Sequence, residues 1–395
     1  MTPHLAATLG PWVLTAVMTQ IRDIPDAEKI NPDAFNSAEV CGECHQSIHA
    51  VWQHSIHSQA FSSGVFQAAY KAAKESGAPE RARLCLECHA PVVRETGDYQ
   101  AEDSITREGV TCDFCHSIRS VNLDGAAPQV DVDVGRTKYG PLLHAQSPAH
   151  RIVDSKLHLR SELCAVCHEY RNEHGVPILE TYSEWKASPY AAEGKQCQDC
   201  HMPLVPGRVV AMGLKTPARE GVNLHDISGS HDQDRVRNAI KMEILSALRV
   251  GKNKVRVAVS VTNAGSGHSF PTGLPMHKAV LEVNLTDRGR QVGRRVIEFE
   301  KVLMNHRGLP ITQEHEVFLE ASSIRNDTRL KPKENRIIKV TFSNVEVPDG
   351  QVEVVFWYQY ASHVLREKDG VETIEPVEMK FLLGTDKQRL PRLAR

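Results

Sequence analysis

The sequence predicts a two-part chain: a mostly helical and irregular front part, residues 22–234, and an all-β back part of the immunoglobulin-like sandwich sort, residues 235–395. Three observations predict it. A Cys-x-x-Cys-His pentapeptide occurs five times, and every copy lies between residues 41 and 201. Around the copies, Gly-Ala-Pro, Asp-Gly and Ser-Pro cut the chain into short amphipathic pieces such as Phe66–Glu75. No cysteine follows Cys200, and past residue 235 Val, Ile and Phe partly alternate with polar residues, as half-buried strands require.

The pentapeptides are Cys41-Gly-Glu-Cys44-His45, Cys85-Leu-Glu-Cys88-His89, Cys112-Asp-Phe-Cys115-His116, Cys164-Ala-Val-Cys167-His168 and Cys197-Gln-Asp-Cys200-His201. Two cysteines three apart share one side of a helical turn, so both can bond the vinyl groups of one porphyrin, and the adjoining histidine can take an axial iron position. The pattern points to five covalent c-type haems, with proximal ligands His45, His89, His116, His168 and His201. Disulfides leave the trailing histidines unexplained, and neighbours three apart pair poorly. Zinc ribbons need facing Cys-x-x-Cys pairs rather than a histidine after each one. Chance places a histidine after a given Cys-x-x-Cys about once in twenty, so five of five is a pattern.

Charge is balanced, 47 basic against 49 acidic residues, which argues against nucleic acid or an anionic membrane surface as the main partner. Aromatic content is only 6%, and porphyrins supply the missing apolar mass in the front part. Covalent haem attachment takes place outside the cytoplasm, so the chain is expected to be exported, to the periplasm or beyond the cell. Residues 1–21 contain a mostly apolar run from Leu5 to Ile21, expected to act as a signal or an uncleaved anchor; membrane contact is expected through it alone.

Residues 22–40 are a polar leader. Successive proximal histidines then lie 44, 27, 52 and 33 residues apart, short linkers that force large cofactors together. In the back part the expected strands are 240–250, 254–262, 279–285, 295–301, 336–342 and 352–360, several separated by Gly-Lys-Asn, Asp-Arg-Gly and Pro-Asp-Gly turns.

A second repeat, Trp52-x-x-Ser55-x-His57 and Trp185-x-x-Ser188-x-Tyr190, follows one haem motif and precedes another. Together with Gly109-Val-Thr-Cys-Asp-Phe-Cys-His116, Gly140-Pro141 through Ser147-Pro-Ala-His150, Ser161-Glu-Leu-Cys164 and Cys197-Gln-Asp-Cys-His-Met-Pro203, it carries a family likeness. Over residues 41–231 the chain resembles the multihaem cytochrome c superfamily, in the branch typified by the tetrahaem electron carrier of ammonia-oxidising bacteria. The resemblance implies helix and loop around stacked haems, and electron transfer with redox protein partners. Some enzymes of the superfamily reduce or oxidise small nitrogen or sulfur compounds at one open haem. Some members with C-terminal β-domains resemble extracellular cytochrome filaments, so self-assembly through the back part is a further expectation.

A low-spin haem needs a second strong ligand. His57 is the first distal candidate, on the family template as well as on position. His150 and His225 follow, then His231 and His268, with His158 and His144 in reserve. Met202 directly follows a proximal histidine and is read as packing. Tyr190 stands where the first repeat has His57; it is read as a pocket wall whose hydroxyl meets a propionate or the backbone, or else as the mark of an open haem. The stretch Asn263-Ala-Gly-Ser-Gly-His268-Ser-Phe-Pro-Thr-Gly273 is expected to end a strand and carry His268 to a haem of the front part, as its ligand or beside its edge.

Overall fold

The computed structural model describes residues 31, 33–76, 79–125, 127–210, 221–362 and 380–390. The expected signal or anchor at residues 1–21 lies outside them. No helix among the described residues is long and apolar enough to cross a membrane.

All five cysteine motifs form single helical turns or short helices: Ala38–Cys44, Arg83–His89, Cys112–Ser117, Glu162–His168 and Cys197–His201. Polar side chains start several of them just ahead of the first cysteine. Ser37 accepts from the amide of Glu39, Thr111 from that of Phe114, and Gln196 and Asp199 form a reciprocal capping box. The longest front helix, Gly64–Glu75, buries Phe66, Tyr70 and Ala73 on one face, where they meet Leu86 and Val93 around the second motif.

Four short two-stranded ribbons were not foreseen between the motifs: Ile118–Asn122 with Gln129–Val132, Thr137–Gly140 with Arg151–Asp154, Tyr170–Arg171 with Pro177–Leu179, and Leu204–Val205 with Val222–Asn223. Their strands have five residues or fewer, too short for an alternation signal; pairing partners, not local pattern, make them strands.

In the back part, β1 (Ile240–Arg249), β2 (Lys254–Asn263), β3 (Lys278–Asp287), β4 (Arg290–Phe299), β5 (Lys301–Asn305), β6 (Ala321–Asp327), β7 (Asn335–Ser343), β8 (Gly350–Gln359) and β9 (Lys380–Arg389) form small sheets. Their orders are β7-β2-β1, β4-β3-β8-β9 and β5-β6. Val255, Val257, Val259 and Val261 alternate inward along β2, and Val352, Val354 and Phe356 along β8; one apolar cluster joins both larger sheets. The six expected strands are present within a few residues at their ends. The sequence reading did not separate β5 from β4, and it missed β6 and β9.

The two parts interlock. Helix Glu314–Leu319 places Leu319 in the cluster around Phe66 and Leu86. Leu303 of β5 and Ala321 of β6 share another cluster with Val176 and Ile178 of the front part. Strands whose apolar side chains are needed by the front part do not join a main sheet. The change in composition near residue 235 falls inside a short helix, Gln233–Ala239, that runs directly into β1.

Candidate functional site

None of the ten cysteines is in a disulfide. The short helices present each pair on one turn, and thiols of different motifs touch: Cys41 with Cys112, Cys88 with Cys167, and Cys164 with Cys197. The fourth motif therefore meets the second through one cysteine and the fifth through the other. Among the described residues no group of three or more His, Cys, Asp or Glu is arranged to hold a metal ion by itself, unlike the closed tetrahedron of a zinc ribbon.

The histidine rings are ordered by a repeated distance. His45 faces His150 with ring centres 6.3 Å apart, His57 faces His168 at 6.3 Å, His116 faces His225 at 6.4 Å, and His201 faces His268 at 6.3 Å. A ring nitrogen lies about 1.2 Å from its ring centre and binds a metal at about 2 Å, so two imidazoles on opposite faces of one metal sit about 6.3 Å apart. Van der Waals stacking would bring the rings nearer. The spacing fits one iron between each pair.

The second ring nitrogen is held in several of these rings. His45 Nδ1 donates to Val209 O (2.6 Å), His89 Nδ1 to Ala60 O (2.7 Å) and His116 Nδ1 to Tyr139 O (2.7 Å). On the facing side, His225 Nδ1 donates to Asn223 O (2.7 Å) and His268 Nδ1 to Ser269 O (3.0 Å). A carbonyl at Nδ1 fixes the tautomer that leaves Nε2 free for metal. Burial, together with neighbouring histidines, lowers His57 and His201 to about 3, and burial lowers His89 and His225 to about 4, which keeps these four rings neutral, as ligation requires.

His57 is aimed by the backbone. Val110 N donates to His57 O at 2.9 Å, and Trp52 Nε1 donates to Val110 O at 3.2 Å. Gly109 makes this approach possible: at φ 76° it has a conformation that side chains resist, and a Cβ there would lie 2.5 Å from His57 O.

The other candidates sit elsewhere. His158 has both nitrogens occupied, by Ser155 Oγ (2.9 Å) and Cys115 O (3.0 Å), and stacks on His116 at 5.4 Å. His231 packs on Tyr360 with ring centres 4.8 Å apart, at the seam between the parts. His144 is exposed. Tyr190 donates its hydroxyl to Ala264 O at 3.2 Å, and Lys333 Nζ lies 4.1 Å above its ring. It meets the backbone, one of the contacts expected of a pocket wall. Sequence reasoning missed Phe66, stacked on His89 at 4.0 Å, and the acidic residues Glu180 and Glu184 beneath the His268 loop; ordinary residues in ordinary helices carry no local signal.

Residues 40–117 match the family described as cytochrome c554 and c-prime. A penta-heme cytochrome c552 from Thermochromatium tepidum has a similar fold: 22% identity, 90% of this chain and 98% of that chain covered, TM-score 0.69. A Pseudomonas fluorescens alkylpurine DNA glycosylase overlaps 39% of this chain and 30% of its own, at 8% identity and TM-score 0.17. A Listeria innocua β-glucosidase overlaps 38% of this chain and 16% of its own, at 12% identity and TM-score 0.17; likenesses this slight carry no argument. No curated protein matches. The five haem-attachment motifs, the family match over residues 40–117 and this fold together support a multihaem cytochrome c family.

Proposed function

We propose that the chain is an exported pentahaem electron carrier or conduit, periplasmic or extracellular, whose haems are mostly bis-histidine. The observation that carries this is the 6.3–6.4 Å spacing of four imidazole pairs, each joining a motif histidine to a distal candidate. Two strong axial ligands make iron low-spin, close it to substrate and favour electron transfer at low potential. When bound, the haems supply the redox chemistry; the chain supplies their ligands, burial and spacing. Thiol contacts between motifs support a continuous path, since thioether-bearing edges that touch bring neighbouring macrocycles together. In this reading the haem-bearing part spans 22–234, and the β-part, from 235 on, is an immunoglobulin-like sandwich whose edge strands offer self-assembly surfaces. Redox proteins are its other partners, and any membrane attachment runs through residues 1–21.

A pyridine haemochrome assay together with electron paramagnetic resonance tests the proposal. Five haems per chain with at least four low-spin irons are expected; fewer than five haems, or mostly high-spin iron, would reject it. Negative-stain microscopy tests assembly, which uniform monomers at high concentration would contradict.

A second reading is a multihaem oxidoreductase acting on a small nitrogen or sulfur compound at one open haem; what favours it is Tyr190, a phenol where the first Trp-x-x-Ser template has His57. A resting high-spin signal that shifts with nitrite, hydroxylamine or sulfite would favour it.

A further inference from the structure

Residues 263–273 leave the end of β2 and carry His268 to its place opposite His201. The segment is held from two sides. From its own side, Asn263 Nδ2 donates to His268 O (2.9 Å), and Asn263 Oδ1 accepts from Ser266 N (3.2 Å) and Ser266 Oγ (2.9 Å). From the haem-bearing side, Glu184 Oε2 accepts from Ser269 N (3.2 Å) and Thr272 Oγ1 (2.7 Å), gripping the segment immediately after the histidine.

Glu184 lies on helix Thr181–Lys186, and its side chain is only 9% exposed. A buried carboxylate is costly unless charge and hydrogen bonds compensate it. Arg329, 7% exposed, lies 2.6 Å from Glu184 Oε1, as an ion pair rather than an aligned hydrogen bond, and also pairs with Asp327 at 2.6 Å. The neighbouring Glu180 takes Lys301 Nζ at 2.6 Å, so the whole charge cluster spans the two parts. Beneath the segment, Gly267 sits on Trp185 and Tyr190, where a Cβ would come within 3.6 Å of both side chains. If the cluster served docking alone, well-packed apolar residues would do as well. Its free carboxylate oxygen instead goes to the amide beside His268.

We infer that Glu184 is a positioning residue for His268, fixing through Ser269 and Thr272 where that imidazole stands opposite His201. The consequence is that axial ligation of the Cys197 haem depends on docking of the β-part. This rests on His268 being the axial partner of His201, and the experiment separates the two claims.

His268→Ala, Glu184→Ala, Glu184→Gln and Thr272→Val are compared in the full haem-loaded chain by spin state, cyanide affinity and protease resistance. His268→Ala is expected to convert one haem to high-spin; an unchanged spectrum overturns the axial reading and this inference with it. Glu184→Ala should tighten cyanide binding at that same haem about 10- to 100-fold, the usual effect of losing a residue that orients a metal ligand. Thr272→Val, which keeps the charge pair, should act in the same direction but less, and it decides the matter if the alanine variant fails to fold. Glu184→Gln retains an acceptor oxygen and should bind cyanide like the parent. If His268→Ala opens the haem while Thr272→Val leaves cyanide affinity unchanged, or if Gln proves as disruptive as Ala, Glu184 serves stability only and the inference falls.

Discussion

The two copies of the Trp-x-x-Ser template do different things with the same scaffold. In the first, Trp52 Nε1 donates to Val110 O, and the sixth residue, His57, faces His168 of a distant motif. In the second, Trp185 Nε1 donates to Lys195 O at 2.8 Å, Ser188 caps the following turn, and the sixth residue is Tyr190. A phenol in that place gives no imidazole, and the template becomes a floor instead. Gly267 lies on Trp185 and Tyr190, Tyr190 holds Ala264 O, and His268 arrives from the β-part to face His201. One copy presents its own imidazole to a motif histidine; beside the other, the facing imidazole comes from another part of the chain.

The largest expected effect comes from breaking the self-sufficient copy. His57→Ala leaves His168 without its facing imidazole, so one haem, that of Cys164 and Cys167, should turn high-spin while the rest keep their spectra. Electron paramagnetic resonance checks this, and five unchanged low-spin signals would contradict the pairing.

Acid should sharpen the comparison from the other side. His277 supports the far end of the borrowed loop, its Nδ1 donating to Thr272 O at 2.8 Å, and burial lowers it to about 4. An unfolded histidine titrates near pH 6.5, so between about 6.5 and 4 the unfolded chain binds a proton that the folded chain excludes. His277 therefore contributes stability that is complete above about pH 6.5 and is lost as pH falls toward 4, on the order of 3 kcal/mol in all. His277→Gln should flatten that part of the pH–stability curve in denaturant titrations; identical slopes would show that the ring titrates freely in the fold.

Gly109→Ala tests the backbone route that aims His57. With φ 76° and a Cβ destined to lie 2.5 Å from His57 O, alanine should cost roughly 1–3 kcal/mol and raise cyanide affinity at the Cys164 haem alone. The smallest effect belongs to Tyr190→Phe. It removes the hydroxyl bond to Ala264 O but keeps the floor, so thermal unfolding should show a loss of about 1 kcal/mol with no change in any haem spectrum.

The sequence by itself determined what contiguous residues determine. Covalent attachment needs two cysteines and a histidine on one helical turn, so five attachment motifs, each with its histidine, can be read along the chain, and the Val alternation of β2 and β8 announces strands. His57, His150, His225 and His268 were also named from sequence, but so were His231, His158 and His144, and no local pattern separates the groups. Only the tertiary structure shows which of them face a motif histidine. A facing imidazole need only arrive within reach of an iron, from any distance along the chain, so its identity lies in packing: Gly109 against His57, Glu184 against Ser269, Tyr190 beneath Gly267. For the same reason β5, β6 and helix Glu314–Leu319 were illegible as a bridge to the front part. Their apolar side chains complete clusters begun by Ile178 and Leu86, and a strand or helix that exists to fill another element's core carries half of its pattern elsewhere in the chain.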